Sequence, residues 1–187
     1  MREELAEWAR EAVSDWTSWP TRRRRPQRPP RVLAPERLHL TLCFLGSRPV
    51  GEIPALGAAL STCAGGVGEL SLGAPLWLPP RRPHALAVEV RDPGGSLATL
   101  QADVTSALSE ASGWDPERRR FRPHITVVRM REGTAPAAGA SGERPLLGPT
   151  PQLRFMPEEI VLYRSLPAPG GATYDPLAAC DLVAAGR

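Results

Sequence analysis

The sequence predicts an α+β protein, with helices and strands mixed along one globular domain of 187 residues. Some stretches repeat apolar residues at the helical spacing, whereas shorter stretches alternate apolar and polar residues as half-buried strands do. No glycine-rich phosphate loop follows a predicted strand, so the pattern does not indicate a nucleotide-binding α/β protein. With 42% hydrophobic residues, the chain can bury a core without disulfide bonds.

Three amphipathic stretches predict helices, and the first of them ends before Pro20 because proline cannot continue a helix. Their predicted bounds are Glu3–Trp16, Ile53–Cys63 and Ser96–Ser112. Six stretches with strand-like alternation or β-branched residues predict strands, at 38–45, 69–78, 84–90, 121–130, 160–166 and 174–177.

Two stretches show neither the helical spacing of apolar residues nor the alternation of a strand. The arginine-rich run at 21–31 is broken by prolines, so we expect a flexible insertion there. The Gly, Pro and Ala-rich stretch at 131–152 is expected to be a mobile loop. Both belong to the single domain expected to span 1–187.

The formal net charge of +3 suits an anionic ligand but is weak evidence for one. All 23 basic residues are arginine, and with 22 prolines and 17 glycines this usage is typical of a GC-rich coding bias. The three cysteines, Cys43, Cys63 and Cys180, form no Cys-x-x-Cys pair, so we expect reduced thiols rather than a zinc or redox site. No apolar stretch approaches the roughly 20 residues of a membrane span, so we expect a soluble cytoplasmic protein that does not bind membranes.

One internal repeat stands out, because His39-Leu40-Thr41 and His124-Ile125-Thr126 both place His and Thr two positions apart in a predicted strand. With ten threonines in the chain, chance would give two of the three histidines this spacing in fewer than about one sequence in a hundred. His84 has no such partner, and we interpret it as a strand histidine that satisfies a local hydrogen bond.

The spacing has a chemical consequence. Residues i and i+2 of a strand share a face and lie about 6.6 Å apart, so each motif projects an imidazole and a hydroxyl together. Two such half-sites around one phosphorus atom would supply a general base, a general acid and two hydrogen-bond donors to the phosphoryl oxygens. No metal or cofactor is needed for this, and the sequence does not say which histidine is the acid.

Around these motifs the chain resembles the two-histidine (2H) phosphoesterases, and among them the bacterial RNA 2′,3′-cyclic phosphodiesterases, also called the 2′-5′ RNA ligase family. The resemblance lies in RVLAPERLHLTLCFLG (31–46), WDPERRRFRPHITVVR (114–129) and EIVLYRSLPAPGGATYDPL (159–177). It implies a two-lobed fold with pseudo-twofold related antiparallel sheets around a central cleft. It also implies opening of a 2′,3′-cyclic phosphate to a 2′-phosphomonoester by a hydrolase.

By position, the resemblance makes His39 and His124 the catalytic histidines and Thr41 and Thr126 their phosphate-binding partners. It also places Arg129 near the phosphate. Strict alternation from His124 would put Arg129 on the opposite face, so this role requires the strand to bend or to end there. Arg122, beside the second motif, is a further candidate for binding substrate.

We therefore expect a monomeric enzyme acting on RNA 2′,3′-cyclic phosphate ends. Two alternatives stay open: the same site could act on small nucleotides such as ADP-ribose cyclic phosphate, or the protein could be an RNA-binding module with a degenerate site.

The family begins with a hydrophobic strand, whereas Met1 here directly precedes the first predicted helix. Either the start is truncated or misassigned, or the first lobe lacks a strand.

Overall fold

The structure, a computed structural model, describes residues 1–16, 29–63, 65–130, 147–168 and 172–183. Within this part of the chain, helices and strands alternate in the order α1 Arg2–Ala12, β1 Arg31–Val32, α2 Ile53–Ser61, β2 Leu70–Leu78, β3 Ala85–Arg91, α3 Ser96–Ser112, β4 His124–Arg129, β5 Arg154–Phe155, β6 Glu159–Leu166 and β7 Thr173–Asp181. Short 3₁₀ helices occur at Pro35–Arg37 and Val50–Glu52. The mixture of helices and antiparallel sheets confirms the predicted α+β class.

The chain divides into two compact units, each assembled from three segments. The first unit contains Met1–Leu40, Ser71–Arg91 and Pro123–Arg154. The second contains Thr41–Leu70, Asp92–Arg122 and Phe155–Arg187. The first His-x-Thr motif therefore spans a unit boundary, while the second lies within the first unit.

The first unit is built on a sheet with the strand order β1-β4-β3-β2-β5. Helix α1 packs against β1, β4 and the Pro35–Arg37 turn. The helix buries Leu5 and Ala9 completely, and the sheet likewise buries Leu86 and Val128. Because apolar side chains of both elements are removed from water together, their burial is the main stabilising contribution in this unit.

In the second unit, α2 packs against α3 and against the antiparallel hairpin of β6 and β7. Gly57 allows the helix to lie close to the hairpin, because a Cβ atom at that position would stand 3.2 Å from the Cβ of Ala178. The Asp92 carboxylate accepts hydrogen bonds from the backbone N–H groups of Leu97 (2.9 Å) and Ala98 (3.2 Å). These bonds satisfy N–H groups that would have no partner in the first turn of α3.

Most of the predicted elements are present, and α3 has the predicted bounds. The predicted strand at 38–45 is wrong as a regular strand, because Leu40 joins the sheet by a single bridge to Ile125. Two features of the backbone explain this. The Pro35–Arg37 turn interrupts the ladder that begins at β1, and β4 starts at His124, directly after Pro123, which has no N–H to donate.

The two predicted loops lie largely outside the described residues, which omit 17–28 and 131–146. At the end of the first, the structure places Arg31 in β1 rather than in a flexible run. At the end of the second, residues 147–152 have no regular structure, and the buried Thr150 hydroxyl donates a 2.6 Å hydrogen bond to the Gly73 carbonyl. No helix in the described segments is long and apolar enough to span a membrane.

We predict that Leu86→Ala lowers the free energy of unfolding by about 2–5 kcal/mol, because it leaves a cavity where a completely buried side chain contacts the core. Urea denaturation followed by circular dichroism measures this change. The matched control is Leu166→Ala, since Leu166 is 41% exposed and its loss should cost much less. Equal costs for the two variants would contradict the assignment of the core.

Candidate active site

The first motif joins the second through one backbone pairing, the antiparallel bridge between Leu40 and Ile125. In an antiparallel pair the residues on either side of a bridge also face each other, so this register sets His39 opposite Thr126. Ile125 is 3% exposed and faces the core, whereas His39 and Thr126 are half-buried on the other face of the sheet. The first histidine thus lies beside the second motif.

His124 lies on the same face as Thr126, two positions along β4. Since His39 is opposite Thr126, the two histidines are diagonal neighbours across the strand pair, a relation that separates Cβ atoms by about 7–8 Å or somewhat less. That gap is of the size that a phosphate group between two imidazole rings would occupy. The structure therefore brings three of the four predicted motif residues together within one unit.

The ring of His39 is held by a hydrogen bond of its Nδ1 to the carbonyl oxygen of Arg37, at 2.8 Å. A carbonyl oxygen accepts hydrogen bonds but does not donate them, so Nδ1 carries a hydrogen and Nε2 lies at the opposite edge of the ring. Arg37 ends the 3₁₀ helix that precedes the motif. That helix therefore sets both the orientation and the tautomer of His39.

Arg129 lies on the His124 face because of a β-bulge. Thr126 pairs with Ala87 and Val128 with Leu86, which leaves Val127 as an extra residue in β4. Val127 and Val128 are both completely buried, so the alternation of inward and outward side chains shifts by one residue at the bulge. Arg129, the next residue, is therefore exposed on the outward face. The bend that a phosphate-binding role of Arg129 requires is present in β4.

Thr41 belongs to the second unit, where it is exposed. The segment that carries it is anchored in that unit by Cys43, whose Sγ lies 3.1 Å from the hydroxyl oxygen of Thr105 on α3. Gln101 donates from its side-chain amide to the same hydroxyl, at 2.9 Å. Burial raises the pKa of the Cys43 thiol, and its hydrogen bonds to Thr105 and Gln101 offset part of that effect.

Arg122, the other predicted binding residue, is exposed and precedes β4 as the last residue of its segment of the second unit. Its role in binding substrate stays a prediction.

Two further residues of the His124 face could not be identified from the sequence: Glu89, which pairs with His124, and Arg31, which pairs with Arg129. No motif marks either of them, since only the strand register brings them to this face. Within the described ranges, no group of three or more His, Cys, Asp or Glu residues could hold a metal ion.

Comparison with known proteins identifies the family that the sequence motifs resemble. The model of the 2′-5′ RNA ligase superfamily matches residues 4–167. The chain is 33% identical over 133 residues to an RNA 2′,3′-cyclic phosphodiesterase of Geobacillus stearothermophilus, covering 70% of this chain and 41% of that protein. It is 31% identical over 106 residues to the protein of the same description from Aeropyrum pernix, covering 55% of this chain and 58% of that one. The chain thus spans about half the length of these relatives.

Solved structures are similar over nearly the whole chain. The crystal structure of TT0787 of Thermus thermophilus has a TM-score of 0.67 and 26% identity, covering 94% of this chain and 92% of that one. Escherichia coli LigT complexed with 3′-AMP has a TM-score of 0.66 and 27% identity, covering 95% and 92%. The fold is thus that of the LigT-like phosphoesterases, and the chain belongs to the 2′-5′ RNA ligase superfamily.

We predict that iodoacetamide alkylates Cys43 at least about tenfold more slowly in the folded protein at pH 8 than in urea. The thiolate is the reactive form, and burial raises the pKa of this thiol, so the thiolate fraction is smaller in the folded protein than in the unfolded one. Mass spectrometry of the Cys43 peptide over time gives both rates. Equal rates in the folded and unfolded protein would contradict the anchoring of this segment through Cys43.

Proposed function

We propose that this protein hydrolyses RNA 2′,3′-cyclic phosphate ends to 2′-phosphomonoesters, with His39 and His124 as its acid and base. The observation that carries the proposal is the antiparallel bridge between Leu40 and Ile125. That register puts both imidazoles on one face of one strand pair, at a separation that suits a bound phosphate. A strand histidine with a merely local role would not need a second histidine at this distance.

The reaction follows from this placement. A water molecule attacks phosphorus in line with the bond to the ribose 3′ oxygen, and one histidine takes a proton from that water as the new P–O bond forms. The bond from phosphorus to the 3′ oxygen breaks, and the other histidine gives its proton to that oxygen. The product carries a 2′-phosphate and a 3′-hydroxyl. Both proton transfers are assigned to side chains, so the proposal requires no metal or cofactor.

The remaining groups stabilise charge on the phosphate. In the proposal, the hydroxyls of Thr41 and Thr126 donate hydrogen bonds to its non-bridging oxygens, which gain negative charge in the transition state. The guanidinium of Arg129 donates to the same oxygens, since the bulge at Val127 supports a position on this face. Arg122 is assigned a weaker role in attracting the RNA, because it is exposed and lies just before β4.

The relatives support this substrate class. Two proteins that are 33% and 31% identical to the chain are described as RNA 2′,3′-cyclic phosphodiesterases. The similar LigT of Escherichia coli was crystallised with 3′-AMP, a nucleotide whose phosphate is attached to a ribose hydroxyl of the kind that the proposed reaction releases. Both observations favour a ribose phosphate as the ligand of this site.

The proposal is tested by incubating the purified protein, in the presence of EDTA, with an RNA ending in a 2′,3′-cyclic phosphate and with small cyclic nucleotides. We expect turnover of the RNA end with release of a 2′-phosphomonoester, detected by chromatography of the products. Turnover of ADP-ribose cyclic phosphate without turnover of the RNA would favour the small-nucleotide alternative. Binding of RNA without any turnover would favour the RNA-binding alternative.

We predict that His39→Ala and His124→Ala each lower kcat/KM at least about a hundredfold, because each removes one of the two proton-transfer groups. The matched control is His84→Ala, since His84 is exposed and lies outside both motifs. Steady-state kinetics on the same cyclic phosphate compares the three variants. An unchanged rate in either motif variant would remove that histidine from the mechanism.

A further inference from the structure

Two arginines lie side by side on the face that carries the motif residues. Arg31 of β1 pairs directly with Arg129 of β4 in the antiparallel ladder. Directly opposed residues share a face, with their Cβ atoms about 4.5–5.5 Å apart, and like charges in such positions repel each other. A pair of this kind is stabilised when an anion binds between the two guanidinium groups.

The position of this pair relative to the histidines follows from the strand register. Thr126 pairs with Ala87 and Arg129 with Ala85, two residues further along β3. One such step along a strand covers about 6.6 Å. Along the strands, the Arg31–Arg129 pair is therefore the next pair of opposed residues on the same face after His39 and Thr126. The distance between these two pairs is of the same order as the distance between two phosphates attached to one ribose.

Arg31 also has an unusual environment. Its Nη1 atom is buried, and no hydrogen-bond partner for that atom lies within reach in the described segments of the chain. Removing a guanidinium N–H group from water without giving it a partner costs free energy. The charge of an anion bound by the other guanidinium nitrogens of this pair would offset part of that cost, without contact to the covered Nη1 atom. Arg129 is exposed and thus accessible to the same anion.

We propose that Arg31 and Arg129 form a subsite for a second phosphate of the substrate, the one attached to the 5′ carbon of the ribose whose cyclic phosphate is opened. This proposal rests on the proposed function and specifies its substrate class. An RNA end and a 5′-phosphorylated nucleotide both carry the second phosphate, whereas a nucleoside 2′,3′-cyclic phosphate does not. The enzyme therefore prefers the first two substrates.

The test compares three substrates with the same base: the nucleoside 2′,3′-cyclic phosphate, its 5′-phosphorylated form, and a dinucleotide ending in the same cyclic phosphate. Arg31→Ala lowers kcat/KM by about tenfold on the two substrates with a second phosphate, the scale expected for one charge-assisted hydrogen bond. It lowers kcat/KM less than about threefold on the nucleoside. Arg129→Ala lowers kcat/KM on all three, because Arg129 also contacts the reactive phosphate.

Arg10→Ala is the matched control, because Arg10 is exposed on α1 and its loss removes the same charge away from this face. If Arg31→Ala does not fold, as judged by circular dichroism, Arg31→Gln replaces it, and Arg31→Lys should retain part of the preference. An equal loss on all three substrates, or no loss on any, overturns the subsite.

A binding measurement separates failure of the subsite from failure of the proposed function. Calorimetry compares a nucleoside 2′-monophosphate with the corresponding 2′,5′-bisphosphate, neither of which requires turnover. The wild-type protein should bind the bisphosphate about tenfold more tightly than the Arg31 variant does. The two proteins should bind the monophosphate with similar affinities. A difference of this kind without turnover of any cyclic phosphate would reject the hydrolase and keep the subsite. Equal affinities of both proteins for the bisphosphate would reject the subsite.

Discussion

The antiparallel pairing of Leu40 with Ile125 is the constraint on which the proposed site depends. It is a single bridge, but it fixes register, and in a strand register decides the face to which every side chain points. A shift by one residue would send His39 toward the buried side of the sheet, where Ile125 and Val128 form part of the core. In the second motif, Ile125 lies between His124 and Thr126, and its burial in the core holds these two polar side chains on the opposite face of the sheet.

The bulge at Val127 has a comparable effect on the charged end of β4. It places two valines in succession toward the core and returns Arg129 to the face of His124. The same face then also carries Arg31 from the neighbouring strand. Bulges often occur beside functional sites because they redirect a side chain without a change of fold. Here the bulge adds positive charge beside the two histidines.

Features that depend only on a local pattern of residues could be predicted from the sequence. Helix α3 has its predicted bounds because four buried apolar residues mark one face and Gly113, at φ 62°, ends it. The second motif is in a strand, as predicted from its β-branched residues. The first motif is not a regular strand, because a strand needs a partner ladder as well as alternation, and Pro123 limits the ladder available to it. Arg31 and Glu89 could not be predicted, since only long-range register brings them to this face.

We propose that His39 and His124 contact one phosphate. It is tested most directly by following the ring signals of the three histidines in NMR spectra of the ¹⁵N-labelled protein while a nucleoside 2′-monophosphate is added. We expect the signals of His39 and His124 to shift together with one dissociation constant, while the signals of His84 stay in place. Movement of only one of the two motif histidines, or two different dissociation constants, would contradict it.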